Sequence, residues 1–181
     1  MQIDNYPITP VALPAESGVS QLYKTTNLVD AYAIQLPNGT TTNPELLARF
    51  IFSQQSPWIS GLMKVRDALV AGFGLKTSAQ LMKADGLGKT NRIGIFKVYS
   101  TSTHEIILGE DDKHLDFRLS LLYQVQPSAF TSPQLILSTV VHCHNLLGRS
   151  YIFIIAPFHR LIVQSMLRRA SRIGWPKATS T

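Results

Sequence analysis

Five polar residues have types and spacings that could support chemistry. His142 and His144 are two apart in a β-rich run, so their side chains leave one face of a strand; His114, Asp116 and Arg118 repeat that spacing in the preceding run. A hairpin centred near Ala129 sets Asp116 opposite His142 and His114 opposite His144. Imidazole and carboxylate are ordinary metal ligands, and the same groups suit acid–base work, with Asp116 orienting His142 and raising its pKa. The intervening residues weigh on this patch. Leu115, Phe117, Leu119 and Leu121 form a clean apolar face. Asp116, Arg118 and Ser120 then fall on the convex side of a sheet, where cross-strand polar pairs are routine. An exposed pairing surface, a buried polar network, and a metal or catalytic centre all remain open, with the alternation pointing to the first. No closed outer shell of the kind metal ligands need is visible, so no metal and no cofactor are expected.

His159-Arg160 follows Pro157 in a long helical pattern. A basic pair there reads as the solvated helix edge, although His159 turned toward a sheet would be well placed to meet the polar head of a ligand. Tyr151, Phe153 and Phe158 read as core. The single cysteine, Cys143, faces away from the histidines and reads as a small buried residue; alone it forms no internal disulfide, which points to a reducing, cytoplasmic setting. Residues 1–16 lack the basic and apolar regions of a signal peptide, and Asn38-Gly39-Thr40 reads as a turn. Gly88-Lys89-Thr90 fails as a phosphate loop, because the required first glycine falls at Lys83. No nucleophile elbow, zinc-protease helix or paired-cysteine motif occurs.

The elements that must position these residues follow from pattern. Residues 1–20, with Pro7, Pro10, Pro14 and Gly18, are irregular; residues 28–36 predict a first strand that stops at Pro37. Asn43-Pro44-Glu45 opens a helix carrying Leu46, Leu47, Phe50 and Ile51, and Ser56-Pro57 opens a second through Trp58, Leu62, Val65 and Leu69. A Gly- and Lys-rich linker spans 75–91. Runs 93–100, 104–108, 114–125 and 134–145 predict an antiparallel meander. A long helix over 150–173 presents Ile154, Phe158, Leu161, Ile162, Ser165 and Met166 at threes and fours, with Pro157 expected to kink or interrupt it. Gly174-Trp175-Pro176 ends it, leaving 174–181 as a tail. The order predicts one α+β domain over 1–181 in a helix-grip plan: a curved antiparallel sheet wrapped on a long C-terminal helix, with two helices after the first strand.

The 181 residues are 45% hydrophobic and 15% charged, which excludes a disordered charged protein, a coiled coil and a disulfide scaffold. No run of about 18 uninterrupted apolar residues exists, so no integral membrane segment is expected. The net charge of +6 is carried by residues 146–181, where Arg149, Arg160, Arg168, Arg169, Arg172 and Lys177 meet no acid. Arginines near a helix C-terminus complement its dipole; a surface for nucleic acid or anionic lipid is the alternative, and no nucleic acid is expected as partner.

The segments LLARFIF, LMKVRDALV, IILGEDDKHLDFRLSLL and TVVHCHNLLGRSYIFIIAPFHRLIVQSMLRRA carry a resemblance over most of residues 28–172. The chain resembles the START-like (Bet v 1-like, polyketide-cyclase-like, SRPBCC) superfamily, and more closely an uncharacterised domain-of-unknown-function family within it. The resemblance implies a space between sheet and long helix that holds a small apolar molecule, and it carries over no catalytic residue. Phe117, Leu119, Leu121, Phe158, His159 and Ile162 are expected to line that space, with His114, Asp116, Arg118, His142 and His144 as its polar candidates. The alternatives are an enzyme using Asp116, His142 and His114 as an acid–base patch, or an interaction subunit. Similar domains occur fused to nucleotide-binding oxidoreductase domains, so the resemblance implies an oxidoreductase partner; a homodimer is the other partner expected.

Overall fold

In the computed structural model, residues 6–53, 91–125 and 132–178 are described. The expected second helix, the 75–91 linker and the turn around Ala129 lie outside these residues. The described strands are β1 (Thr9–Pro10), β2 (Leu28–Gln35), β3 (Arg92–Ile93), β4 (Phe96–Thr101), β5 (Glu105–Asp111), β6 (Leu115–Gln124) and β7 (Gln134–Cys143). They form one open, curved antiparallel sheet in the order β1-β2-β7-β6-β5-β4-β3. Two helices are described, α1 (Pro44–Ser53) and α2 (Leu146–Ile173). The architecture is α+β and compatible with a helix grip.

The alternation read from the sequence sets the strand register. Asp116 is opposite His142 and Leu115 opposite Cys143, as a hairpin centred near Ala129 requires. Leu28, Asp30, Tyr32 and Ile34 of β2 share the helix-facing side with Val141, Thr139, Leu137 and Leu135 of β7. The run expected over 93–100 is divided, because Gly94, at φ 60°, turns β3 directly into β4.

Asn43 caps α1, its Oδ1 accepting from the amides of Glu45 at 2.9 Å and Leu46 at 3.2 Å. Leu47, Ala48 and Ile51 are then fully buried. They join Tyr32, Ile34, Leu121, Leu137 and the C-terminal half of α2 (Val163, Met166, Leu167, Ala170) in the main core. The N-terminal half of α2 builds a second cluster at the other end of the sheet, where Tyr151 and Ile152 cover Leu28, Leu115, Val141 and Cys143. Beyond α2 the chain folds back: Trp175 meets Phe50 at 6.0 Å, and the Thr41 amide donates to the Pro176 carbonyl.

Three expectations are corrected here. α2 begins at Leu146, four residues before the predicted start, because Asn145 caps it and accepts from the Gly148 amide at 3.1 Å. It also runs on through Pro157 without interruption. The assumed core positions are divided as well: Ile162 and Met166 face inward, whereas Phe153, Ile154, Phe158 and Leu161 are exposed, Phe153 by 84%. The helix carries two apolar stripes, and a period of 3.6 does not say which of them meets the sheet. By length and composition α2 is also apolar enough to cross a membrane.

The convex face is not simply solvated either. Ser120 is fully buried, because the N-terminal segment crosses that face. The hydroxyls of Ser17 and Ser120 donate to Glu105 Oε1 at 2.6 and 2.5 Å, and the Gly18 amide donates to Oε2 at 3.0 Å.

Gly148 gives the fold its sharpest test. A Cβ there would lie 2.3 Å from the His114 carbonyl oxygen. Gly→Ala inside an ordinary helix adds about 1 kcal/mol of stability; Gly148→Ala is expected to lose about 1–3 kcal/mol through overpacking. Chemical denaturation checks the sign.

Candidate functional site

Two apolar clusters support the two halves of α2, and a polar spot lies between them. On the sheet it consists of Asp30 and Thr139, direct partners across β2 and β7. From the helix comes His159, whose Nε2 is 3.0 Å from Thr139 Oγ1 and 3.5 Å from Asp30 Oδ1. His159 therefore turns toward the sheet and not to the solvated edge. Arg160 approaches from the rim, its Nε 3.7 Å from Asp30 Oδ2.

The Asp30 side chain is only 9% exposed, and neither of its oxygens has a hydrogen-bond partner among the described residues. A buried carboxylate normally collects several donors, because burial without them costs free energy. The Arg160 guanidinium at 3.7 Å offsets part of that cost without making a hydrogen bond. Phe117 packs against both apolar clusters, and Leu119, opposite Thr139, is buried. The arrangement offers apolar walls, an open carboxylate, an imidazole and a hydroxyl, which suits an apolar molecule bearing a hydrogen-bond donor.

The other sequence-predicted residues fall in different places. Leu121 is fully buried and Ile162 partly so, both in the main core. Phe158 is on the outer side of α2, away from the sheet. His114 is buried at the α2 start, its Nδ1 accepting from Asn145 Nδ2 at 2.9 Å. Asp116, the register partner of His142, makes its hydrogen bond to His144 instead, accepting from Nε2 at 2.9 Å. The reason is the N-terminal segment: His142 donates from Nδ1 to the Thr25 carbonyl at 2.8 Å and stacks on Tyr23. Asp116, His142 and His114 thus do not converge as an acid–base trio. Among the described residues, no group of three or more His, Cys, Asp or Glu side chains is arranged to hold a metal.

Arg118 has a separate role. It bridges to Asp111 at 2.7 Å and lies 3.6 Å over the Tyr99 ring, while the Tyr99 hydroxyl donates to Asp111 at 2.8 Å. Burial, reinforced by that hydrogen bond, pushes the Tyr99 phenol up. Burial alone would raise Asp111, but hydrogen bonds from Arg118 and Tyr99 and the nearby positive charges together hold it below the ordinary carboxylate value. Cys143 is buried, and burial raises its thiol, only partly opposed by Arg149. This is the inert small residue that the sequence implied.

Asp30 and Thr139 escaped the sequence reading. The signal was present, since Asp30 is the one acid in an apolar strand and shares its face with Leu28, Tyr32 and Ile34.

A family model described as "Protein of unknown function (DUF2867)" matches residues 22–166. No curated protein and no solved structure matches the chain.

The Asp116–His144 pair gives a pH prediction. The hydrogen bond from His144 to Asp116 raises the imidazole above its ordinary 6.5, against a smaller opposing effect of burial. A raised folded-state pKa means that the stabilisation is fully present below pH 6.5 and is lost as pH rises through the folded value. Solvent screening keeps it within about 1 kcal/mol. NMR titration of the His144 ring is expected to show the upward shift, and Asp116→Asn to bring it back toward the ordinary value; an identical titration in that variant would refute the pairing.

Proposed function

We propose that this chain, which belongs to the family of unknown function matched over residues 22–166, is a small-molecule-binding module of START-like helix-grip type. Its ligand is an apolar molecule held between the sheet and α2, with a hydroxyl or amino group presented to Asp30. The single observation supporting this reading is the open Asp30 carboxylate, buried between two apolar clusters and beside His159 and Thr139. Sites of this kind are mostly apolar with a few placed polar groups that fix orientation. Asp30 and Thr139 would accept from the ligand, His159 would orient it, and Phe117 would contact its apolar body. A cytoplasmic place of action belongs to the same proposal.

Native mass spectrometry of the protein as purified tests it. The expected result is a non-covalent adduct that is released on unfolding and is absent from Asp30→Asn. The variant should stay folded and lose the stabilisation that bound ligand confers by mass action, roughly 2.7 kcal/mol at 100 times the dissociation constant. A wild-type protein free of any adduct, together with an unfolded Asp30→Asn, would make Asp30 a purely structural residue and remove the proposal.

A further inference from the structure

The outer side of α2 carries an apolar strip that the sheet does not cover. At 100° per residue, Leu146, Leu147, Phe153, Ile154, Phe158 and Leu161 fall within one arc of the helix, whose centre lies opposite Ile152, Val163 and Met166 on the sheet side. Their exposures are 75%, 46%, 84%, 48%, 45% and 57%, far beyond the scattered single apolar residues of an ordinary surface. In the most apolar 18-residue stretch of this helix, only 17% is buried. Pro157, also exposed, continues the same strip.

Charge decides what fits this face. Residues 146–178 carry Arg149, Arg160, Arg168, Arg169, Arg172 and Lys177, all exposed, and no acid. Arg149 and Arg160 lie along one flank of the apolar strip; Arg168 and Arg172 continue its line toward the C-terminus, beyond Leu161. A second copy of the helix offers no carboxylate to meet these arginines. An apolar strip edged by cations matches a different partner: the boundary between acyl chains and anionic headgroups, where an amphipathic helix lies in the plane of the surface.

We infer that α2 docks this protein flat onto an anionic lipid bilayer, with Phe153, Ile154, Phe158 and Leu161 entering the acyl region and the arginines meeting headgroup phosphates. The long arginine stems allow their charged ends to remain in the headgroup layer while the strip enters. A membrane-crossing arrangement is not implied, since the inner side of the same helix is packed on the sheet through Tyr151, Ile152 and Leu167. Apart from Arg160, which also lies at the rim of the Asp30 site, the inference uses no residue of that site.

The test uses the full chain and extruded vesicles, of phosphatidylcholine alone or mixed with phosphatidylglycerol. Sedimentation is expected with the mixed vesicles, weakened at least tenfold without phosphatidylglycerol or in high salt. Phe153→Trp should shift its emission to the blue on those vesicles. Phe153→Glu and the double variant Arg168→Glu, Arg172→Glu should each lose sedimentation at least tenfold while melting like the wild type, since all three positions are exposed. No sedimentation with either vesicle overturns the inference. So does sedimentation without an emission shift, which would be adsorption by charge alone. A stable dimer in solution that Phe153→Glu dissolves also overturns it, by showing that a second copy covers the strip.

Discussion

The fold depends on one junction, where β6, β7 and α2 meet. Asn145 Oδ1 holds the Gly148 amide, Asn145 Nδ2 holds His114, and the His144 amide donates to the His114 carbonyl at 2.9 Å. Gly148 has no Cβ, so the first turn of the helix rests on that same carbonyl. This fixes where α2 starts and which side of it meets the sheet. Tyr151 and Ile152 then settle on Leu28, Leu115, Val141 and Cys143. Fourteen residues and about 21 Å beyond Asn145, at 1.5 Å per residue, His159 arrives over Asp30 and Thr139. A histidine that resembled a ligand is therefore a helix-positioning residue, and its consequence is felt at another histidine.

The two carboxylates on opposite faces of the sheet make an instructive contrast. Glu105 lies under the N-terminal segment and receives two hydroxyls and a backbone amide. Its chemistry is used up by the fold. Asp30, on the helix side, receives none among the described residues, although its side chain is 9% exposed and lies beside His159 and Arg160. A chain that supplies three donors to one carboxylate and, among the described residues, none to the other treats them differently. Unsatisfied buried polar groups are few in native proteins, and strain of this sort gathers where a ligand completes the set. The same division runs through α2, whose inner side closes two apolar clusters while its outer side leaves Phe153 and Leu161 in the open.

Much of the fold was legible in the residues. Period-two alternation set the register that places Asp116 opposite His142, and Asn43-Pro44-Glu45 marked the start of α1. The site was less so, for physical reasons. Asp116 bonds to His144 because residues 23–25 take up His142, and nothing in an irregular Pro-rich segment announces where it crosses a sheet. The same segment buries Ser120, which alternation alone assigned to solvent. Phe158 and Phe153 were assigned inward because a helix apolar on both sides has no single moment to follow. Asp30 was readable as an acid at an inward position of an apolar strand, but its meaning depends on His159, more than a hundred residues away.

The central proposal is that Asp30 takes its hydrogen bond from a bound molecule and not from protein. A high-resolution crystal structure of the protein as purified tests it most directly. The account predicts non-protein density between β2, β7 and α2, with a donor atom within hydrogen-bond distance of an Asp30 carboxylate oxygen and apolar atoms against Phe117. A closed interface, in which His159 and Arg160 both donate to Asp30 and no such density exists, would contradict it.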